Sequence, residues 1–353
     1  MSGLYIHIPF CERKCSYCAF YSVSKPWENG DGFLQALENE LNCLPSDFAP
    51  ETIFIGGGTP TAPDFQWLEK FLPSLGRFSP KEFSVEANPG TVDEAKLELL
   101  KKSGVNRLSI GVQSFDSDCL EALGRIHSAE QAEEAFRLAR ASGFENISID
   151  LMFGVPGQTM TMLESDLDRA CSLGPEHIAI YNLMYEEGTP LTERNPLRLD
   201  EALEREMYDL IRARLKAAGF VHYEISNFAK PGFECRHNRL YWTGGEYIGC
   251  GPAAHSHRQG TRWANVADLD DYCAHGPRRE FEETLDPDAK ERETLVMGLR
   301  LLEGVDVSPE LFERQCSCFR ALGKEGLLVV EGRRVRLSEE ALFVSNAVFV
   351  ELV

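Results

Sequence analysis

Six times between residues 4 and 218 a short, β-rich apolar run gives way to an amphipathic stretch of helical period. The predicted strands cover residues 4–8, 52–56, 83–86, 107–113, 147–153 and 177–183. The predicted helices lie around 32–44, 64–75, 93–103, 129–142, 160–172 and 200–218, with stops such as Ser103-Gly104 and Ser142-Gly143. Alternation of this kind implies a parallel sheet with helices packed outside it. Six units fall short of the eight of a closed barrel, so the expected fold class is α/β, an open partial (β/α)6 barrel over residues 1–225. Beyond Ala217-Ala218-Gly219 the pattern changes. Residues 228–271 are rich in Gly, His, Asn, Tyr and Trp and lack a clear period, which sets off a segment 226–285. Helical period returns in "ERETLVMGLRLL", and the end reads as a hairpin about Glu331-Gly332 followed by a helix. Residues 286–353 are therefore expected to form a smaller winged-helix-like α+β module.

The charge balance excludes some partners. Thirty-six basic against fifty-six acidic residues give a formal net charge of −20, with no Lys/Arg block to attract nucleic acid. Three arginines in the C-terminal hairpin do not overturn that expectation; a solvated hairpin is the better reading. The N-terminus lacks the basic-then-apolar layout of a signal peptide, and no apolar run approaches the length that crosses a bilayer. Eleven cysteines at irregular spacings do not resemble a disulfide framework, so a reducing, cytoplasmic setting is expected.

Three of those cysteines, Cys11, Cys15 and Cys18, fall within eight residues of "YIHIPFCERKCSYCAFY". One loop with three thiolates can hold three irons of a [4Fe–4S] cluster, leaving the fourth iron to another ligand. That open iron suits the amino and carboxylate groups of S-adenosylmethionine, whose reductive cleavage supplies radical chemistry that side chains cannot. Two other readings stand beside this one. Zinc could complete the set with a distant Cys or His, although no second Cys pair follows at zinc-finger spacing. The cysteines could also be inert.

Cys-x3-Cys-x2-Cys with Tyr17 before its last cysteine resembles the signature of radical S-adenosylmethionine enzymes. The continuation is similar to the branch that contains oxygen-independent coproporphyrinogen III oxidase (HemN-like) and the haem chaperone HemW. The matching stretches are "YIHIPFC", "IFIGGGTPT", "EANPGT", "RLSIGVQSF", "LGRIH", "IDLMFGVPGQT", "YEISNFA", "HNRLYW" and "GPAAHS", which run from residue 5 to residue 257. The residues agree with it on their own terms. Glu86, Gln113 and Asp150 stand at or near the carboxyl ends of predicted strands, the face that builds active sites in barrels. Buried carboxylates there are costly unless a ligand or partner meets them. The resemblance implies that Cys11, Cys15 and Cys18 ligate the cluster. It further implies that Tyr5, Tyr17, Gly57, Gly58, Thr59, Glu86, Gln113, Arg125 and Asp150 contact S-adenosylmethionine.

Oxidase and carrier differ in three ways. The oxidase pattern adds a cysteine two places after the third, where this chain has Phe20, and it carries an extension ahead of its cluster. Conversely, "HNRLYW" at residues 237–242 resembles the chaperone's haem-associated motif. His237 then becomes the expected haem ligand, with Tyr241 and Trp242 offering flat apolar surface and Arg236 and Arg239 facing propionates. Against this, His237 could simply brace a loop, or could start a zinc site with Cys235, His255 and His257; "GPAAHSH" itself reads as structural packing. The expectation is a haem carrier that delivers to a recipient protein, with coproporphyrinogen oxidase or another radical enzyme of porphyrin metabolism as the alternative. The carrier role requires no turnover of the cofactor. A flavodoxin- or ferredoxin-type electron donor, peripheral contact with membrane-bound recipients and a homodimer complete the expected partners.

Overall fold

Near-continuous apolar runs such as "RLSIGVQ" and "ISIDLMF" need cover on both faces, which a parallel sheet between outer helices and a barrel interior provides. A computed structural model of the chain, describing residues 2–25, 27 and 30–352, shows that arrangement. Strands β1 (Ser2–Ile8), β2 (Thr52–Gly57), β3 (Glu82–Ala87), β4 (Arg107–Gln113), β5 (Ile147–Phe153) and β6 (His177–Asn182) lie side by side in chain order, all parallel. The helices between them pack outside, burying residues such as Leu37, Leu97, Phe136 and Leu167. Both anticipated helix stops are present. Helices end at Lys102 and Ala141, and the following Gly104 and Gly143 adopt φ of +91° and +85°.

The region without a readable period extends the same sheet. Strands β7 (Val221–Glu224) and β8 (Asn227–Ala229) add antiparallel strands beyond β6. On the other side β9 (Glu246–Cys250) pairs parallel to β1, and β10 (His255–Arg258), β11 (Thr261–Asn265) and β12 (Arg279–Thr284) follow antiparallel. The full order is β12-β11-β10-β9-β1-β2-β3-β4-β5-β6-β8-β7. The open partial barrel is therefore as expected, with a seventh parallel strand, β9, arriving from distant sequence. Strands of three to six residues interleaved with glycine and histidine show too little alternation to be read. Helix Ser117–Leu123 was also not legible, because seven residues between the cap Asp116 and Gly124 hold less than two turns of pattern.

Two buried carboxylates tie this extension to the barrel. Glu40, on helix Gly30–Asn42, accepts from Tyr272 Oη at 2.6 Å, Gly251 N at 2.7 Å and Asn265 Nδ2 at 2.7 Å. Glu82, at the start of β3, accepts from Arg236 N at 2.9 Å and His237 N at 3.0 Å. These are the first turn of helix Arg236–Trp242, whose N-cap Cys235 offers no side-chain cap. Glu82 thus caps a helix from across the chain.

The C-terminal module comprises helices Pro287–Gly298 and Pro309–Lys324, a three-stranded sheet and a short last helix. Its hairpin, Leu328–Glu331 with Arg334–Leu337, turns about Glu331-Gly332 as expected. The hairpin arginines are engaged within the module: Arg334 donates to Glu303 O and Asp306, and Arg336 lies 3.8 Å from Glu331. The module docks on β7 through Ile225 N to Arg300 O and Leu302 N to Tyr223 O.

Removing the Glu82 cap should be felt throughout this arrangement. Glu82→Ala leaves two backbone donors unpaired in a buried place and should destabilise the protein by about 2–4 kcal/mol in urea unfolding. Glu82→Gln, which keeps an acceptor, should lose markedly less. Equal midpoints for wild type and Glu82→Ala would remove the cap from this account.

Candidate functional site

The cysteines sit on the loop that follows β1, where the chain leaves the carboxyl end of the barrel. A short parallel pair, Phe10–Cys11 with Val23–Ser24, closes the base of this loop. Its outer part is pinned to helix Ser117–Leu123 and the turn after it: Ser16 N to Leu123 O at 3.1 Å, Ser16 Oγ to Ala122 O at 3.1 Å, Arg13 to Gly124 O at 2.7 Å. Cys11, Cys15 and Cys18 are free thiols, part-exposed, on the wall of one cavity of about 510 Å³. Burial pushes the Cys11 and Cys18 thiols up, so a metal that takes them as thiolates must displace protons. Among the described residues no three His, Cys, Asp or Glu side chains converge on a point that one ion would fill.

The same cavity gathers Tyr17, Gly57, Gly58, Thr59, Glu86, Gln113, Arg125 and Asp150. The glycines are there for approach: a Cβ at Gly58 would meet Phe10 O at 2.7 Å and Pro9 C at 2.8 Å. Their N–H groups are already used, Gly57 on Glu86 at 3.3 Å, Gly58 on Ile8 O at 2.8 Å and Thr59 on Phe10 O at 2.7 Å. What this stretch offers a ligand is therefore chiefly its shape, since the Thr59 hydroxyl accepts from Asn88 Nδ2 at 2.7 Å and reaches toward Cys11 Sγ at 3.8 Å. Gln113 ends β4 beside a register shift at φ +66°, a conformation few side chains adopt and one concentrated at functional sites. Arg125 donates to Cys15 Sγ at 3.2 Å, to Gly111 O at 2.6 Å and to Asn88 Oδ1, while its Nε is buried without a partner.

Two carboxylates face each other's field inside the barrel. Glu86 is raised to about 8, by burial first and by the charge of Asp150 second. Asp150 is also raised by burial, although Ser148 at 2.8 Å and Ser109 at 2.9 Å donate to it. Both acids also line an inner cavity of about 330 Å³ that holds the buried Arg107. Thiols at one end and buried acids with an arginine at the other suit a ligand that joins a soft metal to an organic cation bearing a carboxylate.

Two expected residues stand apart from this cavity. Tyr5 bonds His7 Nδ1 at 3.0 Å, stacks on Phe54, and faces the inner cavity and a further chamber. His237 is 1% exposed, with Nδ1 on Thr52 Oγ1 at 2.8 Å and Nε2 on Tyr241 Oη at 2.8 Å. Burial and the charge of Arg107 lower it to about 3, so it stays neutral. Neither ring nitrogen is free for iron unless Thr52 or Tyr241 gives way. Conversely, Asn88, Ser109 and Tyr181 belong to the cavity wall and were missed. Asn88 follows Glu86 by two residues on the same strand end, the one signal that could have found it.

Comparison with known proteins bears on the family and the fold. Residues 5–170 match the model of the radical SAM superfamily. The haem chaperone HemW of Bacillus subtilis (strain 168) is 39% identical over 373 residues, covering 99% of this chain and 98% of that protein. HemW of Escherichia coli (strain K12) is 40% identical across 72% of this chain and 69% of its own. Among solved structures, coproporphyrinogen III oxidase (HemN) from Escherichia coli superposes with a TM-score of 0.87 over 99% of this chain and 89% of its own, at 22% identity. At that identity the likeness speaks for the fold.

The raised Glu86 makes a pH prediction. A carboxyl at about 8 when folded and near 4.5 when unfolded contributes stability that is whole below pH 4.5 and lost as pH rises through 8. Between pH 5.5 and 8.5 the ligand-free protein should therefore lose stability, and Glu86→Gln should lose less. Identical losses in the two proteins, measured by urea midpoints, would show that Glu86 is not held protonated.

Proposed function

The chain belongs to the radical SAM superfamily and, within it, to the HemW family, and from that premise we propose that it is a haem chaperone. In this reading it binds haem, hands it to a recipient protein in a reducing, cytoplasmic setting, and carries a [4Fe–4S] cluster and S-adenosylmethionine. The observation that carries the cofactor half is the single cavity holding Cys11, Cys15 and Cys18 together with Glu86, Arg125 and Asp150. The cysteines would hold the cluster. When bound, the cluster supplies an electron and an open coordination place.

The side chains then have distinct tasks. Glu86 and Asp150 meet the cationic part of the ligand, and its arrival stabilises their ionised forms. Arg125, anchored on Gly111 O, holds a positive charge against the sulfur of Cys15 and keeps an unused Nε for a carboxylate or sulfur acceptor. Tyr17, pushed up by burial, stays a neutral phenol and walls the site. Phe20 stands where the oxidase pattern has a further cysteine, which favours the carrier over the decarboxylating enzyme.

The cofactor half has a direct test. Cys11→Ala, Cys15→Ala or Cys18→Ala should each abolish the iron–sulfur absorbance of anaerobically reconstituted protein, whereas the exposed Cys43→Ala should keep it. Asp150→Asn should weaken S-adenosylmethionine binding by about 1–3 kcal/mol, the range of a charge-assisted contact, without loss of iron. A cluster that survives Cys15→Ala, or calorimetry showing undiminished binding by Asp150→Asn, would contradict the respective assignment.

A further inference from the structure

Helix Arg236–Trp242 faces two ways. His237 turns into the barrel floor, where both its nitrogens are satisfied. Tyr241 and Trp242 reach instead a separate chamber of about 630 Å³, between β1, β9, β10 and helix Pro287–Gly298. Its walls are broad and largely aromatic, formed by Tyr5, Phe20, Tyr21, Tyr241, Trp242 and Tyr247. Two residues of those walls, His257 and Trp242, each carry a buried polar atom without a partner, one an acceptor and one a donor.

The acceptor is on His257, 7% exposed. Its Nδ1 lies 3.3 Å from Gly245 O, and a carbonyl can only accept, so Nδ1 carries a proton and, in the neutral ring, Nε2 carries a bare lone pair. Nε2 has neither a hydrogen-bond partner nor contact with water. A ring held by a carbonyl through one nitrogen, with the other left bare, is how histidine is presented to a metal. The donor is the indole N–H of Trp242, equally without an acceptor. Such groups cost free energy in the empty protein, and a ligand that meets both recovers it. Charged side chains complete the lining: exposed His255, two residues before His257; Lys290, at a long 3.5 Å from Glu293; Glu293 itself; and Arg262, which donates to Glu293 at 2.6 Å.

Resting on the haem-carrier reading, we propose that haem occupies this chamber with His257 Nε2 as its axial ligand, its propionates toward Trp242 Nε1, Lys290 and His255. An aromatic macrocycle fits the flat walls, an iron fits the bare imidazole, and carboxylates fit the N–H and the cations. His237, with both ring nitrogens satisfied by Thr52 and Tyr241, stays outside the ligand set. Ala19 and Phe20 line this chamber and the cysteine cavity alike, so the haem would lie against the cluster loop, covering a phenylalanine now 72% exposed.

Titration of ferric haem into wild type, His257→Gln, His237→Gln and Trp242→Phe under anaerobic conditions, with reductant added afterwards, tests this. Wild type and His237→Gln should show the same Soret band and, once reduced, the same iron–histidine stretch in resonance Raman spectra. His257→Gln should lose that stretch and bind haem at least tenfold more weakly, with ligation restored by added imidazole. Trp242→Phe should bind severalfold more weakly with an unchanged spectrum. Metal-free protoporphyrin should still bind His257→Gln, which shows its chamber intact. An unaltered spectrum in His257→Gln, a loss confined to His237→Gln, or competition between haem and S-adenosylmethionine would overturn the placement. Wild type that takes up no haem at all would instead defeat the carrier reading beneath it.

Discussion

The carboxylate of Glu82 is the contact on which the functional geometry hangs. It sits at the first residue of β3, and its oxygens take the N–H groups of Arg236 and His237, more than 150 residues away in the chain. The helix that begins there has a cysteine where a capping side chain would stand, so the cap must come from the barrel. Tyr223 adds a further bond, its hydroxyl oxygen accepting from Cys235 N, and shares that hydroxyl with His177. Fixing the helix start fixes what each later residue faces: His237 on Phe54 and Thr52, Tyr241 over His237, Trp242 outward beneath Arg300. One acid thereby sets the barrel floor and one wall of the aromatic chamber.

The other end of the barrel follows a different logic, in which unfavourable burial is stored for a ligand. Glu86 and Asp150 are held by burial where neither ionises at its ordinary pH, and the charge of Asp150 raises the cost for Glu86 further. A cation entering between them relieves both penalties, which makes the site selective for ligands that carry one. The glycine stretch beside them has its N–H groups committed to β1 and to Glu86, so it shapes the cavity rather than donating into it. The cluster loop is held from both sides, by the short parallel pair at its base and by the Ser117–Leu123 helix at its tip.

Much of this was legible in the sequence because it was local. The six parallel strands and their helices announced themselves through runs of one period closed by Ser-Gly stops, and the observed strands begin or end within a residue or two of the expected ones. The three cysteines were readable from spacing, and the strand-end acids from being polar in apolar runs. What failed was tertiary. No local pattern marks β9 as a parallel neighbour of β1, since the pairing of Ser2 with Glu246 is a property of the sheet. A histidine's partners are tertiary too: both ring nitrogens of His237 in "HNRLYW" are bonded, to Thr52 and Tyr241. "GPAAHSH", read as packing, contains the imidazole with a nitrogen to spare. Whether a histidine is free depends on who its neighbours are, and those came from β2, β9 and the loop before it.

The account requires two iron sites in one molecule, and anomalous scattering at the iron edge locates both at once. Crystals of protein reconstituted with iron and sulfide and then loaded with haem should show one peak against Cys11, Cys15 and Cys18, and a second, separate peak beside His257 Nε2. A single peak at the cysteines, or a second peak on His237, would contradict it.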